Sequence, residues 1–159
     1  MTAKCFVDCN IFVYAMDGGA GAKQQVAEAL LKGCSGDTWG VISTQVLQEF
    51  YAVATRKLRV DRARIRQAMD SMCDLEVVQV DVPLIREAVD CSVLNNISFW
   101  DALIVSAARK AACSVLWTED LNHGQVINGV RIENPFAGPK AVRETKRVYR
   151  ARRPIRLKK

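Results

Sequence analysis

Four carboxylates sit in this chain where carboxylates are costly. Asp8 interrupts the apolar run "CFVDCNIFVYAMD". Glu49 lies in "VISTQVLQEFYAVATRK", about 40° from Val53 on a helical wheel, at the margin of the apolar face. Asp101 opens a helix with almost no polar side in "ISFWDALIVSAARKAACSVLWTEDL", and Asp120 follows the strand-like "SVLWT". Removing a carboxylate from water costs several kcal/mol unless it is paired, hydrogen-bonded or metal-bound. If the four converge, they need a cation. Oxygen donors without His or Cys support select Mg²⁺ or Mn²⁺. Such ions activate water and clamp the oxygens of a phosphodiester.

Each acid also has a plainer structural reading. Asp8 can cap the helix that follows it. Glu49 can be a solvated edge residue. Ser98 to Asp101 fits a capping box, with Ser98 as cap and Asp101 bonding back. Asp120 can make the turn after a strand.

The elements around these acids decide whether they meet. "KCFVD" reads as a first strand, followed by an apolar helical turn through Ala15. Residues 22–32 form an amphipathic helix that stops at Gly33. "WGVIS" is a second strand, and "TQVLQEFYAVATRKL" a helix with Val46, Leu47, Phe50, Tyr51 and Ala54 on one face. Another helix covers about residues 61–73. "LEVVQV" is a third strand, Pro83 sits near the first turn of the next helix, and that helix ends near Asn95. A very apolar helix spans residues 99–112, "SVLWT" is a fourth strand and "VRIEN" a fifth. Short apolar strands alternating with helices predict a three-layer α/β/α sandwich around a mostly parallel sheet of four to five strands. Sites in such sheets form beyond the carboxyl ends of the strands. Asp8 and Asp120 end strands on that side. Asp101 starts the helix leading into the fourth strand, and Glu49 lies less than two turns into the helix after the second. All four can converge.

The 159 residues suggest one domain, residues 1–136, and a basic extension, residues 137–159. The extension carries ten basic residues against one acid, a net +9, which leaves −3 for the body of a chain of net charge +6. It offers a polyanion, nucleic acid first, the cations Lys140, Arg143, Lys146, Arg147, Arg150, Arg152 and Arg153. A helix over residues 140–150 is expected there; a solubilising tail or a partner arm is the competing reading. No apolar run approaches the ~20 residues of a membrane span, and the N-terminus has no signal-peptide layout. Six cysteines without a CxxC pair read as reduced, mostly buried thiols, so a cytoplasmic location is expected.

The ordered acids resemble the PIN domain family of metal-dependent ribonucleases over residues 4–136. The motifs are "FVDCNIFVYA", "STQVLQEFY", "SFWDALIVSAA" and "LWTEDLNHGQVINGVRIENPF". Asp8 and Asn10 stand as its D-x-N opening, Glu49 as its helical acid, Asp101 as its W-D-A acid, and Thr118 with Asp120 as its T-x-D turn. The length and closing segment look most like VapC-type toxins of toxin–antitoxin pairs, although the basic extension departs from their compact ending.

The resemblance implies that Asp8, Glu49, Asp101 and Asp120 hold one or two Mg²⁺ or Mn²⁺ ions, while Asn10 and Thr118 orient the carboxylates or a bound water. Asn122 is read as a loop donor or water ligand, and His123 as a surface loop residue. Phe99 and Trp100, which suggest a base-stacking platform, read better as core. The resemblance also implies an RNA substrate, a cognate antitoxin and a homodimer. The alternatives are a stand-alone RNA-processing or DNA-acting nuclease and a non-catalytic RNA-binding module.

Deleting residues 140–159 is expected to leave a folded domain whose RNA affinity is weaker at low salt and less salt-dependent. Titrations of RNA onto both chains at two salt concentrations measure this. Equal affinities and equal slopes would assign the tail to a protein partner.

Overall fold

The computed structural model describes residues 3–34, 36 and 38–138. The seven tail cations and the expected tail helix lie outside the described residues. Six strands form one sheet: β1 (Ala3–Val7), β2 (Thr38–Ser43), β3 (Glu76–Val78), β4 (Val115–Trp117), β5 (Val126–Ile127) and β6 (Val130–Glu133), in the order β3-β2-β1-β4-β6-β5. All neighbours are parallel except β5 and β6. The sixth strand is the one difference from the expected four to five. It exists because Asn128 and Gly129 both adopt left-handed φ, 49° and 83°, and close a two-residue hairpin between β5 and β6. Asn-Gly is the sequence signal for such a turn, and "INGV" carries it.

Six helices flank the sheet: α1 (Cys9–Met16), α2 (Ala22–Gly33), α3 (Thr44–Lys57), α4 (Arg62–Met72), α5 (Val82–Asn95) and α6 (Phe99–Lys110). Helices α1 to α4 pack on one another, with α3 on β2, while α5 packs on α6 and α6 on β2, β4 and β6. Short polar side chains start α3 to α6: Ser43 accepts from Val46 N–H, Asp61 from Ala63 N–H, Asp81 from Leu84 N–H and Ser98 from Asp101 N–H. Asn96, at φ 51°, ends α5 in the left-handed conformation that closes helices. Helix α6 is buried along residues 102–108, which is why its sequence has no polar side. The core centres on Phe6, Val7, Ile11, Val41, Ile42, Phe50, Leu116 and Ile132.

The chain order creates a crevice. From β1 it moves outward to β2 and β3, then returns through α5 and α6 to lay β4 on the other side of β1. At this switch between β1 and β4 the connections leave in opposite directions, so the carboxyl ends of the two strands stand uncovered. Val7 pairs with Trp117, which puts Asp8 beside Thr118. Asp8 N–H donates to Trp117 O at 3.1 Å and closes the last rung.

All six cysteines are free thiols, of which Cys5, Cys34, Cys91 and Cys113 are buried and Cys73 is exposed. No single helix among the described residues is long and apolar enough to cross a membrane.

Candidate active site

Asp8 is 5% exposed although it directly follows three buried strand residues. Two donors compensate it. Cys9 N–H reaches Oδ1 at 2.6 Å, and the hydroxyl of buried Thr118 reaches Oδ2 at 2.7 Å. Asp8 therefore does cap α1, as its plainer reading holds, yet one backbone N–H does not account for a carboxylate this deep. Burial dominates its titration and pushes the pKa from 3.8 up to about 7. The bonds from Thr118 and Cys9 pull it down, and the charges of Asp120 and Glu49 push it up.

A hydrogen-bonded chain runs from there across the crevice. The Asn10 amide donates to Thr118 Oγ1 at 3.4 Å and to Asp120 Oδ2 at 3.2 Å. Asp120 N–H donates to the same Thr118 hydroxyl at 3.2 Å. Thr118 thus joins the ends of β1 and β4 to the turn that carries Asp120. Asp120 is raised in pKa first by partial desolvation of its carboxyl, then by the charges of Asp101, Glu119 and Glu49.

Glu49 enters from the second turn of α3. Gln45, one turn earlier on the same face, donates to Glu49 Oε1 at 2.7 Å and to Trp100 O at 3.3 Å, joining α3 to the start of α6. The other Glu49 oxygen lies 3.5 Å from Cys9 Sγ. Asp101 is half-buried at that start of α6. Its Oδ2 accepts the Ser98 hydroxyl at 2.7 Å, while Ser98 Oγ accepts Asp101 N–H at 3.1 Å. The expected capping box is replaced by this closed pair: Asp101 bonds the Ser98 hydroxyl, not its backbone.

The acids meet, but unevenly. Ligand atoms of Asp8, Cys9 and Glu49 lie within 4.8 Å of one another. Asp120 stands outside that tight group and reaches it through its charge, and Asp101, further out, acts on Asp120. Two amide oxygens at the site, Asn10 Oδ1 and Gln45 Oε1, are buried without a hydrogen-bond partner. Unpaired buried acceptors next to carboxylates that form no ion pair among the described residues suit a divalent cation, which satisfies both without a proton. The Cys9 thiol also lies among the expected oxygen donors. Cys9 and Gln45 were both missed in the sequence. A lone cysteine within a largely apolar segment reads as core, whereas helical spacing from Glu49 could have found Gln45.

Residues 5–127 match the PIN domain family. The chain belongs to that family. Its solved structural neighbours include the sarcin-ricin-loop-cleaving toxin VapC20 of Mycobacterium tuberculosis, at 21% identity and a TM-score of 0.62, covering 80% of this chain and 98% of that one. A toxin–antitoxin complex from Klebsiella pneumoniae gives 17% identity and 0.60, covering 83% and 98%. VapBC2 from Rickettsia felis, bound to a promoter DNA fragment, gives 19% and 0.58, covering 82% and 98%. At these identities the likeness establishes the PIN fold. No curated protein matches the sequence.

Around this PIN site the remaining candidates sort themselves. The Asn122 amide donates to Gln125 within its own loop and makes no contact with the acids. His123 is half-buried, and its Nδ1 accepts Asn134 N–H at 3.0 Å, so it fastens the loop after β4 to the segment after β6. Phe99 packs against the core as expected, but Trp100 does not, being 62% exposed. Glu119, beside Asp120, is neutralised by Lys23 at 2.8 Å and Tyr14 at 2.6 Å, with Phe136 against the Tyr14 ring.

The raised pKa of Asp8 has a sign that can be checked. The folded state holds a proton that the unfolded chain releases near pH 3.8. The corresponding stability is fully present below that value and is lost as pH rises through about 7. At about 1.4 kcal/mol per pKa unit, the loss is a few kcal/mol. Metal-free protein should therefore melt higher at about pH 5 than at about pH 8, and Asp8→Asn should remove most of the difference. Parallel pH slopes for the two proteins would mean that Asp8 is not the buried titrating acid.

Proposed function

We propose that this PIN-domain chain is a cytoplasmic, divalent-metal-dependent endoribonuclease and the VapC-type toxin of a toxin–antitoxin pair. One observation carries the reading. A nearly buried carboxylate at the β1–β4 switch point is held by two hydrogen bonds and feels the charges of Asp120 and Glu49, Asp120 in turn feels Asp101, and among the described residues none of the four forms an ion pair. Nothing in folding alone calls for that arrangement, which a divalent metal would complete.

Asp8, Glu49, Asp101 and Asp120 supply the anionic oxygens of the site. Thr118 holds Asp8 and leaves its two oxygens in fixed directions. Asn10 fixes Asp120, and Gln45 fixes Glu49. These braces keep the acids in position against their mutual repulsion. Mg²⁺ or Mn²⁺ bound there supplies an activated water and offsets charge on the phosphodiester oxygens. The four acids bind the metal, and the polar braces spare the site from reorganising as charge develops.

Three features support the partners. The structural neighbours from Klebsiella pneumoniae and Rickettsia felis are toxin–antitoxin complexes, which favours an antitoxin. The +9 tail favours RNA as the polyanion. A homodimer is favoured by α5, where Val82, Ile85, Val89 and Val93 are exposed along one stripe. Arg86 and Asp90 flank it one turn apart, so an antiparallel second copy sets each opposite its complement. An apolar stripe of this kind is a contact surface more than a solvated one.

Asp8→Asn and Asp101→Asn should each lower Mg²⁺-dependent cleavage of total cellular RNA at least about a hundredfold, with circular dichroism unchanged. Asn still accepts hydrogen bonds, so an Asp101 acting only as a partner of Ser98 would leave cleavage intact.

Val89→Glu combined with Val93→Glu should give a folded monomer in analytical ultracentrifugation. A dimer that survives both changes would take α5 out of the interface.

A further inference from the structure

The residue after Asp8 gives this site a donor that a Mg²⁺ site does not use. Cys9 Sγ lies 3.5 Å from Glu49 Oε2, and one ligand atom each of Asp8, Cys9 and Glu49 falls within 4.8 Å of the others. Ligands bonded to tetrahedral Zn²⁺ at about 2.0–2.3 Å stand about 3.3–3.8 Å apart. The Cys9–Glu49 edge already has that length. Gln45 gives an independent indication of a cation. It is 4% exposed, its amide rests on Glu49 Oε1, and its own Oε1 is buried with no partner. The same bond occupies Glu49 Oε1 and leaves Oε2 directed to the sulfur.

We infer that Asp8, Cys9 and Glu49 form a site selective for a thiophilic divalent ion, Zn²⁺, which competes with Mg²⁺ or Mn²⁺ for the same carboxylates and holds the nuclease inactive. This rests on the carboxylates being a metal site and adds its regulation. On binding, the Cys9 thiol gives its proton to solvent and the sulfur takes up the ion. Two carboxylate oxygens and one sulfur match Zn²⁺, a borderline-soft ion content with four ligands. Mg²⁺ demands six near-octahedral oxygens and gains nothing from sulfur. In a mixed set the order of affinities also runs from Mn²⁺ up to Zn²⁺. Serine at position 9 keeps the backbone N–H that caps Asp8 and loses the soft donor.

Co²⁺, a spectroscopic substitute for Zn²⁺, tests this without reference to RNA cleavage. The full chain carries Cys73→Ser throughout, to remove the exposed thiol. Co²⁺ should produce a near-ultraviolet thiolate-to-cobalt charge-transfer band that stoichiometric Zn²⁺ abolishes. Cys9→Ser should lose the band and weaken Zn²⁺ at least about tenfold, the lower end of what losing even a supporting residue costs a metal site. Mn²⁺ affinity, followed by electron paramagnetic resonance, should change little. If Cys9→Ser fails to fold by circular dichroism, Cys9→Ala, with the same N–H, takes its place. Mn²⁺ binding without a thiolate band, or a band that survives Cys9→Ser, overturns the Zn²⁺ site and leaves the carboxylate site standing. If neither Co²⁺ nor Mn²⁺ binds, both fall.

Discussion

The structure depends on a carboxylate kept out of water. Asp8 lies at the end of β1, in the middle of the sheet, where among the described residues Thr118 and one backbone N–H alone hold its charge. Two hydrogen bonds do not replace full hydration, and its raised pKa reflects the deficit. The fold therefore has to bring the compensating groups to it. The register that pairs Val7 with Trp117 does so, because it puts Thr118 directly beside Asp8.

From that pair the site is assembled outward by amides. Asn10 reaches from α1 to Thr118 and Asp120, and Gln45 ties Glu49 to the backbone of Trp100. Each amide spends its N–H groups on fixing a carboxylate and leaves its oxygen buried and unpaired. A site arranged for folding stability alone would turn such oxygens to a donor. Here they border an acid cluster instead, the kind of local conflict that collects at functional positions.

Other surfaces share this division between stability and use. Lys23 pairs with Glu119 and Tyr14 donates to it, with Phe136 against the Tyr14 ring, so Glu119 has its own partners and acts on neighbouring Asp120 only through its charge. Helix α6 is buried through its middle, residues 102–108, while α5, which packs on it, keeps an apolar stripe outside. That stripe does nothing for the core, which is complete beneath it.

Much of this was legible in the sequence. The alternation of apolar strands and helices specifies a parallel sheet, because strands buried on both faces must be short and apolar. The four acids stood out, since charge in apolar surroundings needs a reason, and their positions after strands or near helix starts put them on one side. Asn128-Gly129 was also written there, as a hairpin turn between strands of two and four residues, too short for periodicity to declare. Only the tertiary structure decided which groups touch. Cys9 looked like core until α1 and α3 came together and set its sulfur against Glu49. Trp100 looked like core as well, yet it begins a helix whose buried face starts two residues later. His123 stood next to the acids in sequence and was turned away by its bond to Asn134. Sequence specifies periodicity and local caps because these are properties of neighbouring residues. Contacts between residues a hundred positions apart, such as Asp8 and Thr118, follow from strand order and register, which are set by the packing of the whole chain.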